Sequence, residues 1–192
     1  MGSKKESTFL SMVLTLLVVT AVAALALGGV YELTKEPIAL AKKKKQEAAI
    51  KMVLPAFDHL RSEKVPSYDG GDSLLFTYAT KDGKPVGVAV NSYSDEGFSG
   101  RVEVMVGFLP DGTIHNTAVM AHKETPGLGT KMVEPSFKDQ FKGKNPKNFK
   151  LKVAKDGGEV DAITAATISS RAFTDAVDRA YKTFEKVGKE KD

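Results

Sequence analysis

At 192 residues the chain has room for one domain and an additional segment. It contains no cysteine, which excludes disulfides and thiolate-held iron–sulfur clusters or zinc, and its three histidines (His59, His115, His122) show no metal-ligand spacing. The net charge of +4 is modest and its lysines lack interleaved aromatics, so no nucleic-acid partner is expected.

After an N-terminal flank, residues 1–8, comes an uncharged apolar run over residues 9–30. At about 1.5 Å per residue it would reach roughly 33 Å as a helix, enough for a bilayer core. A retained transmembrane helix is expected. The alternative is a cleaved signal peptide, suggested by Lys4, Lys5 and Ala24-Leu25-Ala26 but opposed by the length of the apolar run. Residues 31–58 read as a connecting helix, with helical spacing from Ile38 to Phe57 and Pro55 near its end. Lys42 to Lys45 either contact anionic membrane lipid or form a solvated face. Counting positive charges on the two flanks would put the remainder in the cytoplasm, although long domains cross membranes largely regardless of charge.

Residues 59–192 hold the expected globular domain, and residues 58–73 read as a polar loop. Leu74–Thr80 and Pro85–Ser92 flank Lys81-Asp82-Gly83-Lys84, a hairpin signal. A second hairpin joins Arg101–Phe108 to Thr113–Ala121 through Leu109-Pro110-Asp111-Gly112, with Val102, Val104 and Val106 alternating as in a half-buried strand. Phe149–Val153 is a possible fifth strand, and Gly97-Phe98-Ser99-Gly100 is a flexible loop between the hairpins. In the segment His122 to Lys131, Pro126-Gly127 suits the centre of a type II turn. A short helix over 135–143 should bury Phe137 and Phe141. The expected class is α+β: an antiparallel sheet packed with helices, preceded by one N-terminal transmembrane helix.

The most informative stretch is Asp161-Ala162-Ile163-Thr164-Ala165-Ala166-Thr167-Ile168-Ser169-Ser170-Arg171. It opens a helix from about Ala166 to Lys186, on whose buried face Ile168, Ala172, Phe173, Ala176, Val177, Ala180, Tyr181 and Phe184 recur at threes and fours. Thr164 to Thr167 would lie at the first turn, where unpaired N–H groups and the helix dipole favour an anion such as phosphate. Alternatively, Thr164 simply caps the helix.

Asp-x-Ile-Thr-Ala-Ala-Thr-x-Ser resembles the flavin-attachment motif of the FMN-binding domain family. That family includes the G subunit of the Rnf ion-translocating electron-transport complex and the C subunit of the sodium-pumping NADH:quinone reductase. Its attachment threonine carries FMN through a phosphoester, and Thr167 occupies that place. The family's glycine is replaced by Ala165, a change that matters only where the backbone needs a positive φ. His122-Lys123-Glu124-Thr125-Pro126-Gly127-Leu128-Gly129 resembles the family's second motif, and Gly97-Phe98-Ser99-Gly100 a third element.

The resemblance implies covalent FMN on Thr167, with Thr164, Ala165, Ala166, Ile168 and Ser169 around the attachment point. Glu124, Thr125, Gly127, Leu128 and Gly129 would line the isoalloxazine site. His122 and Lys131 would stabilise a reduced, anionic flavin, although His122 would equally suit a strand-end carbonyl. Arg171 would neutralise the phosphodiester. The implied role is electron relay in an ion-translocating oxidoreductase complex, without independent catalysis and with the flavin domain outside the cytoplasm. Its implied partners are the other subunits, a flavin transferase during maturation and membrane lipid. The chain's shortness favours the Rnf-type complex. A membrane-anchored module holding a small ligand or flavin non-covalently is the alternative. A free-standing flavin reductase is a third reading, weakened by the lack of a dinucleotide fingerprint.

Overall fold

The computed structural model describes residues 8–189, so most of the N-terminal flank and the last three residues of the charged tail lie outside the described residues. Helix α1 (Phe9–Val53) is continuous for 45 residues and contains Pro37, which lacks the N–H that would donate within the helix. It stops two residues short of Pro55, as proline's clash with a preceding helical residue requires. The chain divides into two compact units between Lys44 and Lys45. In the first, α1 is exposed, carries no charge over residues 9–30, and is long and apolar enough to cross a membrane.

The second unit is built on five antiparallel strands in sequential order: β1 (His59–Val65), β2 (Leu74–Lys81), β3 (Lys84–Ser94), β4 (Val102–Phe108) and β5 (Ile114–Ala121). The β2–β3 connection is a two-residue turn with Asp82 at φ 50° and Gly83 at φ 75°, the backbone that matches strand twist in a tight hairpin. β1 corrects the loop expected over 58–73. It escapes a pattern-based reading because it is an exposed edge strand, held by backbone pairing to β2 and not by an apolar face.

β4 also departs from expectation, because both of its faces are covered. Val102, Val104, Val106 and Phe108 join the larger core, whereas Met105 packs with Ala49, Ile50, Val53 and Leu54 from the end of α1. Gly107 lies so close to that end that a Cβ would sit 1.8 Å from the Val53 carbonyl oxygen. Phe149–Val153 is not a fifth strand. Phe149 and Leu151 are buried as plugs in the larger core, Val153 is buried as well, and the segment makes only an isolated parallel bridge, Val153 to Val160, among the described residues.

Helix α3 (Thr167–Lys189) covers the other face of the sheet, packing on β3 and β4 through Ala172, Phe173, Ala176, Val177, Ala180 and Tyr181. Ile168 is the exception to the expected buried face, being exposed at the first turn. The short helix α2 (Pro135–Lys138) and the 3-10 turn after it bring Phe137 and Phe141 against Phe173, with ring centroids 5.0–5.9 Å apart within the trio. Together these contacts fix the N-terminus of α3 above one end of the sheet.

Candidate functional site

Three segments converge beside the start of α3: the loop 97–100, the turn 124–129 and the residues 163–170. In the turn, the Leu128 N–H donates to the Thr125 carbonyl at 3.2 Å and Gly127 has φ 76°, the geometry that Pro126-Gly127 predicts. Gly127 also donates its N–H to Thr130 Oγ1 at 2.9 Å. A 3-10 helix, Gly129–Val133, follows directly.

The segment before α3 forms a second turn of the same kind. Ala166 N–H donates to the Ile163 carbonyl at 3.0 Å, and Ala165 sits at φ 61°. A side chain at that φ meets the neighbouring carbonyl, which is why glycine is preferred there. Ala165 is therefore a strained position, where the methyl meets a positive φ. Buried Ser170 secures the turn: its Oγ accepts from Ile163 N–H at 2.9 Å and donates to the Ala166 carbonyl at 3.0 Å. Thr164 lies within this turn, ahead of the first helical residue, Thr167.

Glu124 holds the three segments together. Only 5% exposed, its carboxyl accepts from Ser169 Oγ at 2.7 Å and from Ser99 N–H at 3.2 Å. Two glycines make room for it: a Cβ at Gly129 would lie 2.6 Å from one carboxyl oxygen, and one at Gly97 would lie 2.7 Å from the other. The Glu124 N–H donates to His122 Nδ1 at 3.2 Å, so that ring nitrogen is engaged with the turn's own backbone.

Above this network opens a cavity of about 330 Å³, within the usual size range of small-molecule sites. Of the residues expected at the site, Glu124, Thr125, Leu128 and Gly129 line one side, and Ala165, Ala166, Thr167, Ile168 and Ser169 the other. Phe98 completes the wall. Sequence reasoning does not place it at the site, although an aromatic flanked by loop glycines is a signal that could have found it. Phe98, Leu128 and Ile168 are exposed by 68%, 41% and 45%, leaving apolar surface that a flat aromatic ligand would cover. Lys131 and Thr164 border a different depression, with Gln140 and Asp161 between them, and His122 and Gly127 are not part of the cavity wall.

Electrostatics at Thr167 differ from the sequence expectation. Arg171 does not face the hydroxyl. Its guanidinium is taken by Asp156 in a bidentate pair at 2.7 and 2.8 Å, which holds the Asp156 carboxyl below the usual carboxylate range. The nearby cation is Lys155, whose Nζ lies 3.4 Å from Thr167 Oγ1. The two residues are 12 apart in sequence, and the irregular chain between them hides their proximity from any spacing rule.

The model of the FMN-binding domain matches residues 97–182, which span the whole cavity wall. The G subunit of the ion-translocating oxidoreductase complex from Methanosarcina acetivorans is 35% identical over 186 residues, covering 94% of this chain and 95% of its own length. The chain belongs to this family. The G subunit of the same complex from Vibrio vulnificus is 36% identical over 157 residues, covering 76% of this chain and 74% of its own. A crystal structure of NqrC from Shewanella oneidensis is also similar, with TM-score 0.45 and 24% identity, over 69% of this chain and 65% of that one.

Two outcomes follow for this scaffold. Ala165→Gly should raise stability by about 0.5–1 kcal/mol in urea unfolding, by relieving the positive φ. Glu124→Ala should cost about 2–4 kcal/mol in the same assay, because it leaves the buried Ser169 hydroxyl without its acceptor, frees the Ser99 N–H and opens a void. Glu124→Gln should cost much less, since the Ser169 hydroxyl can turn to accept.

Proposed function

We propose that this chain is an electron-relay subunit of an Rnf-type ion-translocating oxidoreductase complex, carrying FMN through a phosphoester on Thr167 Oγ1. One observation carries the reading: Thr167 begins α3 at the rim of an apolar cavity, and its hydroxyl has a lysine ammonium beside it. The N–H groups of the first helical turn have no intrahelical acceptor, so they and the helix dipole suit a phosphate oxygen. Phe98, Leu128 and Ile168 would cover the faces of the flavin ring, while Thr125 and the backbone of Gly129 would meet its polar edge. Bound FMN supplies the capacity to take up and pass on electrons. Gly127, Thr164 and His122 act on the shape of the walls. Lys131, in the neighbouring depression, is a more distant source of positive charge.

The domain matches this role. Residues 9–30 anchor the chain in the membrane, 31–58 connect, and 59–192 hold the flavin, with the end of the connecting helix packed on the sheet. Tethering keeps the cofactor on the protein while electrons enter and leave through neighbouring subunits. It requires a flavin transferase during maturation, because a threonine hydroxyl is a poor nucleophile without an activating base. We place the flavin domain on the extracytoplasmic side, where a loosely held cofactor would be lost to dilution.

Intact native chain should exceed its amino-acid mass by one FMN less one water. Thr167→Ala, co-expressed with the transferase, should remove the ultraviolet fluorescence of the denatured band. Fluorescence surviving that change would exclude attachment here, and unmodified mass with tightly co-purifying flavin would favour the non-covalent reading. In right-side-out vesicles added protease should digest the flavin domain, and protection would reverse the assigned orientation.

A further inference from the structure

We infer that Lys155 is the residue that balances the charge of the phosphoryl group on Thr167, and that the Arg171–Asp156 pair serves to aim it. The inference rests on the attachment reading above and concerns how that attachment is made. Lys155 Nζ lies 3.4 Å from Thr167 Oγ1, the nearest cationic contact to that oxygen among the described residues. The sequence points instead to Arg171, one helical turn on, but its guanidinium is satisfied by both oxygens of Asp156.

Asp156 directly follows Lys155 in a 3-10 turn, Ala154–Asp156, closed by Gly157 at φ 78°. The flanking chain is ordered: Val153 and Val160 are buried, Ala154 N–H donates to the Val160 carbonyl at 2.8 Å, and Gly158 N–H to the Val153 carbonyl at 3.2 Å. Gly158 also sits where a Cβ would lie 2.0 Å from the Lys152 carbonyl oxygen, so the arm is closely folded. The Arg171–Asp156 clamp then joins this arm to the first turns of α3. Arg171 therefore acts at one remove, as a positioning residue, and Lys155 supplies the charge.

Attachment needs a phosphorus centre already activated, since direct esterification by a monoester would have to expel water in water. The donor is taken to be a pyrophosphate-linked flavin nucleotide. The Thr167 hydroxyl gives up its proton to a base on the transferase and its oxygen forms the new bond to phosphorus. The bond from that phosphorus to the bridging oxygen breaks, and the nucleotide monophosphate leaves. Negative charge on the transferring group lies within reach of Lys155 throughout, and the diester monoanion stays beside it afterwards.

The test uses full-length apo chain in detergent, purified flavin transferase and a pyrophosphate-linked flavin nucleotide, with attachment followed by intact mass. At low salt Lys155→Gln should slow attachment about tenfold, the scale of one charge-assisted contact discounted for exposure. Lys155→Arg should recover most of the rate, and the deficit of Lys155→Gln should shrink at high salt, as screening requires. Thermal unfolding of both variants should match the parent, since Lys155 is exposed. Wild-type rates for Lys155→Gln, or no rescue by arginine, would overturn the inference while leaving the attachment site intact, provided Thr167→Ala gains no mass. Mass gained by Thr167→Ala would instead overturn the attachment reading and this inference with it.

Discussion

The cavity owes its shape to one buried carboxyl. Glu124 is drawn out of water, where an unsatisfied carboxyl would cost several kcal/mol, and it offsets that loss by accepting from Ser99 and Ser169. Those donors belong to two other segments, so satisfying one side chain holds a loop, a turn and a helix start in register. Gly97 and Gly129 leave room for this network: a methyl at Gly97 would meet the Gly100 carbonyl oxygen and the Glu124 carboxyl, and one at Gly129 the Ser169 hydroxyl and the same carboxyl. A residue expected to touch a flavin directly is also the brace behind the cavity.

The sheet supplies the rigid base for this arrangement. β4, between β3 and β5, is buried on both faces, with α3 covering one side and the last turns of α1 the other. Gly107, pressed against the Val53 carbonyl, shows how little clearance remains. Because α3 is locked along its length by Phe173, Ala176, Val177 and Ala180, its first turn is presented at a defined place. The exposed Ile168 and half-buried Thr167 then face the cavity instead of the core.

Charge around Thr167 is divided between two basic residues. Arg171 gives its five-donor fork to a matching carboxylate, where planar bidentate geometry is best used. Lys155, a compact charge on a flexible stem, faces the hydroxyl. The division leaves a positive group beside the Thr167 hydroxyl without leaving a guanidinium unpaired.

Much of this protein was legible along the chain. Apolar length marked the segment able to cross a membrane, Asp82-Gly83 and Pro126-Gly127 specified their turns through φ alone, and the helical spacing after Thr167 located α3. These features depend on neighbours a few residues apart, so local sequence suffices. The edge strand β1 was not legible, because backbone pairing holds it and leaves no side-chain pattern; the buried side chains of Phe149, Leu151 and Val153 imitated a strand because burial in a core also favours alternating apolar residues. In the site, the two motifs were readable, but their meeting through Glu124 and Ser169, 45 residues apart, was not. Nor was the presence of Lys155, in place of Arg171, beside Thr167. Sequence spacing determined which backbone conformations and helix faces were available; only tertiary packing decided which charges and cavities came together, because those contacts join groups that no local periodicity relates.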